Sequence, residues 1–284
     1  MDVNGFLSVF GSPPSPDDGD LLDDAGYIIC GKCGERKEIY LDSIGRKVRR
    51  KCSCEKELQE REAKDRLEAE RKRLIELNIK RSFSGTTRYD VITFRDAKTD
   101  QFNQRPLSTC KRFADKFPSL RDKGQGLLLW GGVGTGKSYA AACIVREIVQ
   151  MEKPDSTPDN PRFYRALMVS IADAMSYSSR DRTDEIDIHT RLSKDDLVVF
   201  DDLGTERNTG YGLEKLYGLI DERYRSSLPM IITTNLTLDE IKQEEDIRYS
   251  RIYDRILEVC FPIQFTGSSL RTSKRELRPF MDVT

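Results

Sequence analysis

Residues 131 to 138 read GGVGTGKS, and they stand between an apolar run, GLLLW (126 to 130), and an Ala-rich helical pattern, YAAACIVREIV (139 to 149). The spacing G-x-x-x-x-G-K-[ST] in a strand–loop–helix setting constrains the chain more than any other feature. It fixes a buried strand, a tight glycine turn and a helix start in one stretch. Glycines let successive N–H groups converge on phosphate oxygens at a helix N-terminus, through backbone angles that a β-carbon forbids. Gly131, Gly132, Val133, Gly134, Thr135 and Gly136 therefore read as a phosphate cradle. Lys137 brings charge to the β and γ phosphates, Ser138 can ligate magnesium, and the nucleotide-contacting stretch ends at Tyr139. The ligands expected are ATP and Mg2+; the bland alternative is a Gly-rich turn with a surface lysine.

The apolar runs after Ser82 alternate with helical patterns. GLLLW is followed by RALMVS (165 to 170), LVVF (197 to 200), MIITT (230 to 234) and FPIQF (261 to 265). Helical stretches at 138–150, 171–178, 211–225 and 238–260 separate them. Strands alternating with helices predict an α/β fold with a parallel sheet covered on both faces. Ligands then bind at the carboxyl ends of the strands.

The LVVF run ends in Asp201 and Asp202. In a phosphate-loop NTPase a second buried strand ends beside the nucleotide and presents an acid to the magnesium. Asp201, the first residue past the run, is assigned the metal, and Asp202 orients or deprotonates the attacking water. Adjacent side chains on a strand point to opposite faces, so the pair is expected where the strand is ending. The alternative for Asp202 is a capping or merely repelling role. MIITTN puts Asn235 at the end of another strand, where a neutral amide could hold the attacking water. The basic clusters RYSRIYDRI (248 to 256) and GSSLR (267 to 271) follow, and arginine is the natural donor for charge developing on a transferred phosphoryl group. Asp254 and Glu258 could instead hold these arginines in ordinary helix pairs.

Upstream, composition divides the chain. Residues 1 to 29 hold six Asp and no Lys or Arg, and residues 30 to 54 reverse this with eight basic and three acidic side chains. The expected organisation is a disordered acidic tail (1 to 25), a zinc-binding module (26 to 56), a charged helical linker (57 to 81), an ATPase domain (82 to 273) and a basic tail (274 to 284). Ala63, Leu67, Leu74 and Leu77 mark a thin apolar stripe on the linker. Cys30, Cys33, Cys52 and Cys54 give C-x2-C-x18-C-x-C, a spacing at which four thiolates could hold one tetrahedral Zn2+. The single residue inside the second pair leaves unligated thiols as the alternative. Cys110, Cys143 and Cys260 fall in helical patterns and read as core thiols. With 47 basic and 48 acidic side chains, any nucleic-acid site must be local. No apolar run is long enough to span a bilayer and the start carries no basic region, so a cytoplasmic protein that does not engage membrane is expected.

Taken in order, GGVGTGKS, VVFDDLGTE, DERY, IITTNL, SRIYDRI and GSSLR make residues 78 to 273 resemble a known family. It comprises the AAA+ ATPases that load replicative helicases in bacteria and phages, the DnaC and DnaI type, with their relatives the IstB-type transposition helpers. The resemblance implies an AAA+ P-loop three-layer sandwich. It makes Asn235 the sensor I residue, Arg255 the arginine finger reaching the next subunit, and Arg271 sensor II in cis, with Arg251 the competing finger. Leu270 stands where the family usually carries an aromatic residue. A slowly hydrolysing ATPase switch is implied, which self-associates through AAA+ interfaces, binds a hexameric replicative helicase and delivers it to single-stranded DNA. Some loaders carry an N-terminal zinc module. The rival within the family binds duplex DNA and a transposase. Outside it stand a small-molecule phosphotransferase, which would carry a lid, and an adaptor that uses ATP only to hold its shape. Tyr177, Arg180 and Arg182 lie where related initiators insert a DNA-contacting helix, and a solvated loop is the equal alternative.

Overall fold

The computed structural model describes residues 16–83, 89, 91–177, 188–204 and 210–270. The chain divides into two units between Arg71 and Lys72, inside a long helix, α1 (Ser53–Ser82). Among the described residues no helix is long and apolar enough to cross a membrane.

The N-terminal unit is built on two antiparallel pairs, β1 (Leu21–Leu22) with β2 (Ile28–Ile29) and β3 (Glu38–Leu41) with β4 (Arg46–Arg49). Residues 16 to 25, which composition places in an acidic tail, include β1 and are joined to the rest of the unit by ion pairs; residues 1 to 15 lie outside the described residues. The reason is electrostatic. The buried Lys37 ammonium meets Asp20 at 2.8 Å and Glu55 at 2.7 Å, and Asp17 pairs with Arg49. A charge so desolvated persists only when paired, so the acids that made this stretch look disordered are what order it.

The C-terminal unit opens with the last turns of α1. Ile79 is buried and Ile75 packs beside it, whereas Leu67 and Leu77 of the expected stripe stay exposed. Asn78 Nδ2 decides the face, donating to Val149 O and Tyr164 O at 2.8 Å each. A short 3-10 turn (Phe94–Asp96), α2 (Gln104–Asp115) and α3 (Phe117–Arg121) lead into β5 (Gly126–Gly131). There follow α4 (Lys137–Ile148), β6 (Ala166–Ser170), α5 (Ile171–Tyr177), α6 (Ile188–Lys194) and β7 (Leu197–Leu203). The chain continues through α7 (Gly210–Arg225), β8 (Met230–Thr234), α8 (Leu238–Lys242), α9 (Ile247–Val259) and β9 (Cys260–Phe265). The helix expected over 238–260 is split, because Asp246 in extended conformation caps a fresh start at Ile247.

The five strands of this unit form one parallel sheet in the order β6-β7-β8-β5-β9. Strand side chains alternate between faces. Leu127, Leu129, Val199 and Ile231 pack toward α2 and α4, and Leu128, Val198, Phe200 and Ile232 pack toward α7 and α9. Each fully buried leucine contributes about 1.5–3 kcal/mol relative to exposure. This is the expected three-layer α/β sandwich, and Cys110, Cys143 and Cys260 are buried within it as core thiols.

The two edges of the sheet differ. At the N-terminal ends of the strands the fully buried Arg223 donates to Leu192 O and Asp195 O at 2.8 Å each, and also to Pro229 O and Asp196 O. Burial pushes its pKa down to about 9. The Asp196 carboxylate collects Arg121 Nε at 2.7 Å and Lys153 at 2.8 Å. This edge is stapled, and the C-terminal edge is left for the ligand. Arg223→Met strips the carbonyls of their donor at nearly constant volume. It should lower stability by about 1–3 kcal/mol for each carbonyl left without a donor, read from urea unfolding by fluorescence of the single tryptophan, Trp130. An unchanged midpoint would remove the stapling role.

Candidate nucleotide-binding site

The glycine loop joins β5 to α4 at the C-terminal edge. Gly134 (φ +79) and Gly136 (φ +99) take left-handed backbone angles that favour glycine. A β-carbon at Gly134 would also collide with Ser269. Leu270 N donates to Gly134 O at 2.8 Å, so the GSSL segment closes on the loop and Leu270 lines the adjoining cavity. Arg271 lies outside the described residues, as do Arg180, Arg182 and the basic tail.

A cavity of about 490 Å³ opens beside the loop. Val133 to Tyr139, Asp202 and Asn235 line it together, which unites motifs far apart in sequence. The Lys137 ammonium is buried and donates to Gly131 O and Gly132 O at 2.7 Å each and to Asn235 Oδ1 at 2.9 Å. Thr135 Oγ1 donates to Gly132 O at 2.9 Å and steadies the turn. The Tyr139 hydroxyl donates to Thr93 O at 2.9 Å and ties the first turn of α4 to the upstream segment.

That segment supplies what the sequence reading missed. Tyr89, Ile92, Leu107 and Phe265 form an apolar wall of the cavity, which Asp96 and Asn103 also line. Such a wall suits a flat heterocycle, while the loop N–H groups suit phosphates. The available signal was the aromatic and β-branched run YDVITF (89 to 94), which stands between the charged linker and the first strand.

The acidic pair is not at a strand end. β7 continues to Leu203, and the register against β8 shifts between Phe200 and Leu203, with Asp202 at φ +61. A local bulge, rather than termination, re-aims the backbone between the two carboxylates. Asp202 lines the cavity. Asp201 is nearly buried, and burial pushes its carboxyl above the ordinary value, offset in part by hydrogen bonds with Thr233 and Ser138. A buried carboxylate beside a hydroxyl is an all-oxygen donor set that fits a hard cation such as magnesium.

Arg255 is elsewhere. It sits on α9, its Cζ 4.6 Å from the Tyr217 ring centroid and its Nη1 2.5 Å from Asp221 Oδ1, an approach without hydrogen-bond alignment. Arg251, one turn earlier, is exposed. Glu258 accepts from the Tyr224 hydroxyl at 2.8 Å rather than pairing within its own helix.

In the N-terminal unit the Sγ atoms of Cys30, Cys33, Cys52 and Cys54 all lie within 4.8 Å of one another. Cys54 Sγ is 3.4 Å from that of Cys30 and 3.3 Å from that of Cys52. Sulfurs about 2.3 Å from a common zinc would stand roughly 3.8 Å apart, so the cluster fits one tetrahedral ion. The Glu35 N–H, foremost, pulls the Cys33 thiol down to about 6, and the Cys33 N–H lowers that of Cys30. Hydrogen bonds to Cys52 and Cys30 push Cys54 up, and burial raises Cys52. Purified protein should carry one zinc per chain by elemental analysis, and Cys52→Ser should lose it; metal-free wild-type protein with an intact N-terminal unit would oppose the assignment.

A family profile described as IstB-like ATP binding protein matches residues 54–278. The replicative helicase loader DnaI of Bacillus subtilis is 27% identical over 159 residues, 52% of this chain and 48% of that protein. An ATP-binding protein in an insertion sequence of Mycobacterium tuberculosis is 24% identical over 156 residues, 54% of this chain and 59% of that protein. The chain therefore spans about half the length of the curated relatives it matches. Among solved structures, a crystal structure of DnaI superposes with a TM-score of 0.52 at 20% identity, covering 67% of this chain and 96% of that one, a likeness of fold.

Proposed function

The chain belongs to the family of IstB-like ATP-binding proteins, and from that premise we propose that it loads a hexameric replicative helicase onto single-stranded DNA, using ATP as the switch. One observation carries the loader reading over its rival: the ATPase cavity and a four-cysteine cluster occur in one chain, and some loaders pair an ATPase with an N-terminal zinc module. The zinc module and α1 hold the helicase, and the ATPase unit governs its release.

The chain's own groups divide the chemistry. Loop N–H groups and Lys137 bind the phosphates, which draws Lys137 away from Asn235 and frees the amide to hold the attacking water. Ser138 and Asp201 hold magnesium, and Asp202 orients or deprotonates the water. Held by Ser138 and Asp201, a magnesium ion would supply positive charge against the charge that develops on the transferred phosphoryl group. Arg255 serves the nucleotide of a neighbouring subunit and Arg271 that of its own.

Native mass spectrometry of the protein mixed with a replicative helicase from its host should give a complex whose population changes with ATP. No complex under either condition would sink the loader reading. The relative in an insertion sequence supports the second reading, a transposition helper, and ATP-dependent filaments on duplex DNA would establish it instead. For the trans arginine, Lys137→Ala and Arg255→Ala proteins should each lose turnover alone and recover part of it when mixed. Absence of rescue at every ratio would place Arg255 outside the neighbouring site.

A further inference from the structure

β7 and β8 pair Phe200 with Ile232 and Leu203 with Thr234. Two residues of β7, Asp201 and Asp202, therefore face one residue of β8, Thr233. A bulge of this kind leaves ladder groups without their usual partners. Here the Thr233 hydroxyl takes their place. It donates to Asp201 Oδ1 at 2.6 Å and accepts the Asp202 N–H at 2.9 Å. A hydroxyl has one proton and two lone pairs, so accepting from the N–H directs its only proton to the carboxylate. Thr233 is fully buried. The next residue repeats the device, because Thr234 Oγ1 donates to Leu203 O at 2.8 Å. The bulge is pinned on both sides by the two threonines that precede Asn235.

We propose that Thr233 is a positioning residue for the metal-dependent reaction. Its hydroxyl sets the plane of the Asp201 carboxylate, and it holds Asp202 in the left-handed backbone that brings that side chain to the cavity. Occupying one oxygen of Asp201 on the strand side leaves the rest of the carboxylate for Ser138 and a cation. Valine has nearly the same shape and could fill the space, but it could satisfy neither neighbour. The inference rests on the reading of Asp201 as the magnesium ligand.

The test compares Thr233→Val, which deletes the hydroxyl, with Thr233→Ser, which keeps it, and uses Asp201→Asn as the reference. A fluorescent ATP analogue is titrated with Mg2+ and again in EDTA, alongside steady-state turnover and thermal midpoints. Thr233→Val should bind the analogue as wild type does in EDTA, lose roughly 10- to 100-fold of the Mg2+-dependent gain in affinity, and lose kcat. Thr233→Ser should restore both. A Thr233→Val protein with the wild-type Mg2+ gain and kcat overturns the proposal, as does a serine variant as defective as the valine one. If Asp201→Asn keeps the full Mg2+ gain, the metal assignment itself fails. If Asp201→Asn loses the gain while Thr233→Val keeps it, only the role of Thr233 fails. Should the valine variant not fold, Thr233→Ala removes the same hydroxyl, and the contrast with serine decides in the same way.

Discussion

The buried ammonium of Lys137 is the constraint around which the C-terminal unit is arranged. Desolvating such a charge costs several kcal/mol unless acceptors surround it. Its acceptors come from three places: the end of β5, the glycine loop, and the residue just past β8. They can meet only because β5 and β8 are parallel neighbours in a register that pairs Trp130 with Thr234. That register sets Gly131 beside Asn235. The next strand over, β7, then delivers its carboxylates to the same edge through the bulge against Thr233. The order β7-β8-β5 is thus the spatial form of three motifs that the sequence keeps far apart.

Most of this was legible because buried parallel strands read as continuous apolar runs and the glycine loop has a fixed spacing. All five apolar runs became strands, and the helices differ at their ends or, in one case, by a cap. What escaped was set by tertiary partners. Nothing local to VVFDD announces a bulge, since its cause is a register with β8 some thirty residues away. The buried face of α1 depended on Asn78 finding two carbonyls, so Ile75 and Ile79 turned inward and Leu67 and Leu77 did not. In the N-terminal unit, charge composition suggested disorder where Asp17 and Asp20 are held by Lys37 and Arg49. Composition reports how many charges there are, and geometry decides whether they are paired.

The placement of Arg255 sets an energetic condition on its proposed service to a neighbouring subunit. To reach another nucleotide it must leave Asp221 and the ring of Tyr217, giving up a cation–π contact worth about 0.5–2 kcal/mol. Removing one partner of a buried ion pair is usually far more costly, because the remaining charge is stranded. Asp221 is not stranded. Arg225, one turn further along α7, already meets its other oxygen at 2.9 Å and is largely exposed. The carboxylate keeps a partner whichever way Arg255 turns, which lowers the cost of release. An arginine with two such destinations suits the proposed service to a neighbouring subunit: in the isolated chain Asp221 and Tyr217 hold it, and an adjoining nucleotide would compete for it.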